Sequence, residues 1–424
     1  FCPAKRSETL SRIKNEDFDA ILMTYSCFDR IPLSKEYYVA DLKEKSASLA
    51  KNIATNGTAR KKHDLDIKLG KLVAAENTTK DVICFDELGI TRLFVDEAHN
   101  YKNVPVETQV TYVLGIGGSG SKKCRDMLDK VHHVQKTNNG GGVVMATGTP
   151  ITNSITDVYI MQMYLQSGEL SLLDLNSFDG WIGMFAEKTT RFEIDVDTNS
   201  YRLATRFARF HNLPELTALL SSIADFHQID ISAGIPELDG YSDNLIPRTK
   251  EFSEFLKTIS SRAEQVRAHK INRKKDNMLK ITTDGRMAAL DMRLVDGKAN
   301  FSPQSKVSEC ADTVTKIYFM TEKDRSTQLI FCDSSTPKDG FNIYDEIKRL
   351  LIKNGIPKEQ IRYIHEAATE TKREKLFKEI RKGNVRILIG STFKLGLGVN
   401  IQDRLIALHH LDIPWRPADM TQRE

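Results

Sequence analysis

The sequence has 424 residues, room for two or three domains of roughly 100 to 200 residues each. Hydrophobic residues make up 40% and charged residues 28%, which excludes wholesale disorder, a collagen-like repeat and a disulfide-dense scaffold. Lys plus Arg number 61 against 57 Asp plus Glu, a net charge of +4; bulk charge does not mark a nucleic-acid binder, so any basic footprint has to be local. Six cysteines at positions 2, 27, 84, 124, 310 and 332 form no C-x-x-C pair and no zinc-spaced cluster with histidine, so they read as reduced thiols of a cytoplasmic protein. No apolar run reaches the roughly 18 residues of a membrane span, and the first ten residues contain no signal-peptide core. The chain starts at Phe1 and stops at Glu424 inside a motif, so it is expected to be part of a longer polypeptide.

Short apolar runs alternate with helical patterns in two stretches, which predicts two α/β lobes with parallel sheets. In the first, residues 19–23 (D-A-I-L-M) and 92–95 (R-L-F-V) read as buried strands. A Lys- and Ala-rich stretch between them, about 36–77, reads as a solvated helical insert. Residues 143–146 (V-V-M-A) follow three glycines and form the next expected strand, with Thr149 as cap and Pro150 as first residue of the following helix. The middle, about 171–305, is aromatic-rich at first, then charged and helical. Arg262, Arg267, Lys270, Arg273, Lys274 and Lys275 crowd there, either as a solvated helix face or as phosphate contacts. From about 306 the pattern is βαβαβ, with strands at 328–332, 363–364, 385–389 and 405–408. These limits predict domains at 1–170, 171–305 and 306–424.

The strand 93–95 delivers Asp96 and Glu97 to its C-terminal end, where open α/β sheets bind ligands. An acid in such a place can hold Mg²⁺ and a second can polarise the water that attacks a γ-phosphate, although an acidic cap after a strand is also common. Thr147 and Gly148 are small residues at the expected neighbouring strand end. Gly390 to Asn400 (G-S-T-F-K-L-G-L-G-V-N) ends a strand with Ser391 and Thr392 and carries glycines that let backbone amides approach a phosphate; a tight connection is the plain alternative. The pairs His132–His133 and His409–His410 have no partners at metal spacing. Trp415, between two prolines, suits a packed aromatic or a nucleic-acid contact equally.

In this order, D-E-A-H at 96–99, A-T-G-T-P-I-T-N at 146–153, I-G-S-T-F-K-L-G-L-G-V-N at 389–400 and Gln422-Arg423 resemble motifs II, III, V and the opening of VI of superfamily 2 helicases, within them the Snf2-like ATPases. The strings F-C-P-A-K-R, F-D-E-L-G-I-T-R-L-F-V-D-E-A-H-N-Y-K-N, R-F-A-R-F-H-N-L-P-E-L and A-L-H-H-L-D-I-P-W-R-P-A-D-M-T-Q-R-E look like large helicases of phages, plasmids and conjugative elements. The resemblance covers nearly the whole chain. It implies two RecA-like lobes with ATP held between them and closure converted into movement along duplex DNA.

Residue by residue, the similarity implies catalytic roles for Asp96 and Glu97 with ATP and Mg²⁺, the metal falling to Asp96. His99, Gly396, Gly398, Asn400, Gln422 and Arg423 join the nucleotide side, and Thr147, Gly148, Thr149, Ser391 and Thr392 couple it to nucleic acid. Thr24 stands where the family has a nucleic-acid-contacting motif, while Arg273, Lys274 and Lys275 of the basic run, and Trp415, are the further candidate DNA contacts. In that group the helicase region is often fused to a DNA methyltransferase, whose tetrapeptide does not occur here. Two departures bear on activity. No Gly-Lys-Ser or Gly-Lys-Thr exists in the chain; the run Gly115 to Lys122 has its Ser and Lys in the wrong order and follows the acidic box, so it reads as a glycine turn. Motif VI stops before the arginine finger, worth about 10³ to 10⁵ in turnover. The stretch alone is therefore expected to hydrolyse almost no ATP, and the first lobe is expected to lack the strand that precedes a phosphate loop. A non-catalytic DNA-binding scaffold and the motor subunit of a restriction system are the alternative readings.

Overall fold

The computed structural model describes residues 5–51, 56–75, 82–110, 113, 120–151, 154–195, 200–227, 238–272, 274–395, 401–415, 417–421 and 423. They fold as two compact units, Phe1–Thr190 with Ala204–Asp225, and Arg191–Leu203 with Phe226–Glu424. The expected middle region 171–305 is thus divided between the two. The architecture is mixed α/β with parallel sheets and many helices.

In the first unit, β1 (Leu93–Val95) and β2 (Val143–Met145) pair in parallel, Leu93 opposite Val143 and Val95 opposite Met145. Gly142 enters β2 at φ 90°, and a Cβ there would lie 2.8 Å from the Thr91 carbonyl oxygen, so only glycine serves at this crossing. One face of the ribbon lies on the core. Helix Lys122–Thr137 buries Cys124, Met127, Leu128, Val131 and Val134, the 3–4 spacing of one apolar stripe. Trp181 lies in that core, its ring tilted against Tyr159 and Phe185, with its indole N–H donated to Gln162 at 2.8 Å.

The other face of the ribbon is bare. Phe94 and Val144, register partners, are 72% and 51% exposed, although parallel ladders are ordinarily covered on both sides. The expected strand at 19–23 does not form: these residues are irregular, and Leu22 is fully exposed. A lone apolar run becomes a strand only where a neighbouring ladder accepts its backbone groups. Among the described residues no third strand joins β1 and β2, so nothing described fills the expected gap.

The charged insert is a helical pair, Lys35–Lys51 and Asn56–Ala74. Ser46 donates to Asp66 at 2.6 Å, and the Lys35 ammonium reaches the carbonyls of Val73 and Ala75. Further on, β3 (Ala186–Asp195) and β4 (Ser200–Phe210) form a two-stranded sheet of their own.

The second unit carries the four-stranded sheet that the sequence implies. Strands β5 (Thr327–Phe331), β6 (Ile361–Tyr363), β7 (Ile387–Gly390) and β8 (Leu405–His410) lie in the order β6-β7-β5-β8, all pairs parallel. Ile330 and Cys332 face one apolar cluster with Ile343, Ile347, Ile387 and Ile389, while Leu329 and Phe331 face another with Ile364, Ile380 and Leu388. The period of two thus sends alternate residues into cores on opposite faces, as a parallel sheet requires. At Gly390 a Cβ would crowd the Leu395 and Ile364 side chains, so a larger residue after Ile389 would have to displace them.

Helices Lys250–Arg267 and Met278–Leu290 pack as a separate pair over Ile259, Ala263 and Ile281. Among the described residues there is no disulfide, Cys27, Cys84, Cys124, Cys310 and Cys332 being free, and no helix is long and apolar enough to cross a membrane.

Candidate functional site

The first site grows from the end of β1. Beyond Val95 the ladder continues for one more pair, Ala146 N–H to Val95 O at 2.8 Å and Ala98 N–H to Ala146 O at 2.9 Å. Between those anchors Asp96 and Glu97 are pushed out as a turn. Asp96 accepts the Glu97 N–H at 2.9 Å on Oδ1, and Glu97 sits at φ 46°, a left-handed conformation that costs a non-glycine residue on the order of 1 kcal/mol and persists only where its surroundings impose it. Asp96 is exposed and Glu97 partly so. The following 3₁₀ turn is fixed from below: the buried Tyr101 hydroxyl donates to Asp29 at 2.9 Å, and Tyr164 donates to the Tyr101 carbonyl at 3.0 Å.

Two bonds tie this turn to the end of β2. His99 Nδ1 lies 3.1 Å from Glu97 Oε2 and 3.2 Å from Thr147 Oγ1. Thr147 Oγ1 already accepts the Thr149 N–H at 3.1 Å, so its own proton is available to a neutral Nδ1, whereas a protonated Nδ1 donates to Glu97. The ring therefore reads the carboxylate or the hydroxyl according to its protonation. The second bond is from Lys102. Its ammonium, almost wholly buried, donates to the Thr149 carbonyl at 2.5 Å and lies 3.9 Å from Asp157.

Thr149 does not cap the next helix, which starts seven residues later, at Thr156; its carbonyl accepts from Lys102 instead. Lys102 was not among the residues expected to matter. Its only sequence signal was its place, a lysine three residues past the D-E-A-H box.

In the second unit a denser charge network occupies the C-terminal edge of the sheet. Asp333, just after β5, accepts the Thr392 N–H at 2.7 Å and the Thr392 hydroxyl at 2.6 Å. Asp412, just after β8, accepts the backbone N–H groups of Asp333 and Ser334, the latter at 2.6 Å. The fully buried Arg423 guanidinium donates to Asp333 at 2.8 Å, Asp412 at 3.3 Å, Thr392 Oγ1 at 2.8 Å and the Asp412 carbonyl at 2.7 Å. Arg423, expected on the nucleotide side, braces three strand ends inside the unit with four hydrogen bonds. Ser391 is buried beside it and its carbonyl accepts from Lys394 and Leu395. Asp333 and Asp412 escaped the sequence reading, though each obeys the rule that singled out Asp96, an acid just past a strand.

The expected nucleic-acid residues separate. Thr24 is exposed and its hydroxyl lies 3.1 Å from Ser26 Oγ and Cys27 Sγ, at the head of a one-turn helix. Lys274 and Lys275 are exposed. Arg262, at the head of the basic run, does not face solvent as a phosphate grip. It pairs with Asp276 at 2.7 Å and Asp284 at 2.8 Å, tying its helix to the next, and its hydrogen bond to Asp276 holds that carboxyl below the usual range. Trp415 is 60% exposed, with the Arg286 guanidinium 4.3 Å from its ring centroid; Arg286 also donates to the Ile413 carbonyl. Gly396, Gly398, Asn400, Gln422, Arg273 and the glycine turn at 114–119 lie outside the described residues.

No group of three or more His, Cys, Asp or Glu side chains stands together as a metal cage among the described residues. Mg²⁺ does not need one: it keeps several waters and takes one or two carboxylates together with substrate phosphates. The exposed Asp96 at a strand end meets that requirement.

Comparison with known proteins adds two family matches in chain order. Residues 1–228 match a family model described as a probable helicase domain, and residues 309–424 match the helicase conserved C-terminal domain. The chain is also similar to "Defense against restriction protein B" of Escherichia phage P1, 26% identical over 190 residues; the match takes in 42% of this chain and 8% of that protein.

Replacing Arg423 with Ala leaves Asp412 and Asp333 without their cation. The second unit is expected to lose about 3 to 5 kcal/mol, read as a lower urea midpoint for the cooperative loss of its helical signal.

Proposed function

The chain belongs to the probable helicase domain family, and from that membership we propose that it is the core of a Snf2-like, ATP-driven DNA motor of the phage and mobile-element type, working in the cytoplasm on duplex DNA. Its class is helicase-related and its second unit suits a RecA-like fold. The likeness to a phage P1 protein supports the mobile-element part of the reading, and a fused DNA methyltransferase region in the parent polypeptide stays within the proposal.

The observation that carries the reading is the acidic turn at the end of β1, bonded through His99 to Thr147 at the end of β2. Asp96, exposed and pinned by the Glu97 N–H, is suited to hold a hydrated Mg²⁺. Bound with the nucleotide, that ion would neutralise charge on the β- and γ-phosphate oxygens. Glu97 is the base in this scheme: its partly exposed carboxylate, beside His99, can orient and deprotonate a water. His99 senses the state of Glu97 and passes it to Thr147, which shares a loop with Gly148 and Thr149. That loop is short and held by Lys102, so a change at Glu97 moves it as a unit.

In the second unit Ser391 and Thr392, braced by Asp333 and Arg423, lead into the glycine-rich segment through which Gly396, Gly398 and Asn400 are proposed to meet nucleotide. Thr24, Arg273, Lys274, Lys275 and Trp415 are the proposed DNA contacts. A second reading, a DNA-binding scaffold without turnover, is favoured by one fact, the lack of Gly-Lys-Ser or Gly-Lys-Thr among the 424 residues.

ATP hydrolysis by the parent polypeptide separates the two. The motor reading expects turnover that rises with duplex DNA and falls at least about 100-fold in Glu97→Gln; turnover indifferent to that change contradicts it. Binding gives an independent check on the DNA side. Glu at both 274 and 275 is expected to weaken duplex affinity and to flatten the dependence of log affinity on log salt by about 2, as measured by anisotropy across a salt series; an unchanged slope removes these lysines from the interface.

A further inference from the structure

Tyr25, in the first unit, is held against the acidic turn by a closed frame of three contacts. The Asp29 N–H donates to the Tyr25 carbonyl at 2.8 Å, Asp29 Oδ1 accepts the Tyr101 hydroxyl at 2.9 Å, and the Tyr101 and Tyr25 rings meet at 81° with centroids 5.3 Å apart. Tyr101 ends the 3₁₀ turn that begins directly after Glu97. The frame therefore fixes Tyr25 relative to the turn that carries the acid pair, and each of its three links is made without the Tyr25 hydroxyl.

That hydroxyl has no hydrogen-bond partner among the described residues, and the side chain is only partly buried. Burial pushes the phenol up to about 12, with Asp96, Glu97 and Asp29 adding to the rise in that order. At pH 7 it is a neutral donor within electrostatic reach of both acids. Asp96 and Glu97, as carboxylates, offer acceptors only, and the Lys102 ammonium is engaged by the Thr149 carbonyl and Asp157. A phosphate oxygen brought to this turn thus finds its proton donor in Tyr25.

We propose that Tyr25 is a further catalytic residue of the acidic site: its hydroxyl donates a hydrogen bond to the terminal phosphate of the nucleotide that Asp96 and Glu97 serve. This assignment rests on the motor reading and extends it, since it places a phosphate donor on the one-turn helix Tyr25–Phe28, away from any glycine loop. A donor on a phosphate oxygen steadies the charge that the oxygen carries as the terminal phosphoryl group is transferred. A phenol does so without adding a cation beside Asp96, where the Mg²⁺ is proposed to sit.

Two measurements test the assignment, the first without nucleotide. Fluorotyrosine placed at position 25 of the 424-residue chain reports, by fluorine magnetic resonance, the pH at which this phenol ionises; fluorination brings that pH down into a range where proteins stay folded. Asp96→Asn with Glu97→Gln is expected to lower it further, because two negative charges that hold the proton in place are gone. An ionisation that does not move overturns the proposal, since the phenol then does not face the acids. The second measurement is ATP hydrolysis by the parent polypeptide. Tyr25→Phe keeps the ring against Tyr101 and removes only the hydroxyl, so a matching far-ultraviolet circular dichroism spectrum is expected. kcat/KM should fall about 10- to 100-fold, as for loss of one hydrogen bond to a charged group, while duplex affinity stays as it was. Unchanged kcat/KM overturns the proposal, whatever happens to duplex affinity. A parent polypeptide sensitive to Glu97→Gln but indifferent to Tyr25→Phe contradicts this assignment alone, whereas one that hydrolyses no ATP contradicts the motor reading and this assignment with it.

Discussion

A buried ammonium sets the geometry of the first unit. Lys102 is taken almost wholly out of water, and the Thr149 carbonyl that accepts from it and the nearby Asp157 help to offset that burial. That bond ties the loop after β1 to the loop after β2. In the same turn the His99 ring lies between Glu97 and Thr147, and Glu97 holds its left-handed conformation.

The second unit solves the same problem with more charge. Three parallel strands end side by side, each leaving backbone N–H groups or a carboxylate that needs a partner. Arg423 supplies a planar, five-donor cation that reaches Asp333, Asp412 and Thr392 together, a task for which a lysine has the wrong shape. Thr392, and with it the start of the glycine-rich segment, is located by this network rather than by its own short helix. In both units, then, a buried cation organises the C-terminal edge of a parallel sheet, the edge at which such sheets take ligands.

What could be read from the sequence follows from how local each signal is. The four strands of the second sheet were legible because each is a short apolar run between helical patterns, and both of its faces are covered. Asp96 and Glu97 were legible because a strand end needs only the adjacent residues to be recognised. Residues 19–23 had the same apolar look yet form no strand, since the ladder they need is not in their own sequence. Thr149 looked like a cap, but a carbonyl bond to Lys102, 47 residues away along the chain, decides its place. Arg262 looked like part of a basic face, and its bonds to Asp276, just before the partner helix, and to Asp284 within it show it to be an internal tie.

The central claim is that the ends of β1 and β2 act as one body through His99 and Thr147. A double-mutant cycle in urea unfolding of this chain, with His99→Ala, Thr147→Val and the pair, measures it most directly. The account predicts a coupling of about 0.5 to 3 kcal/mol, as for residues in one bonded network. Effects that add to within about 0.3 kcal/mol would contradict it, because the two strand ends would then be neighbours without being joined.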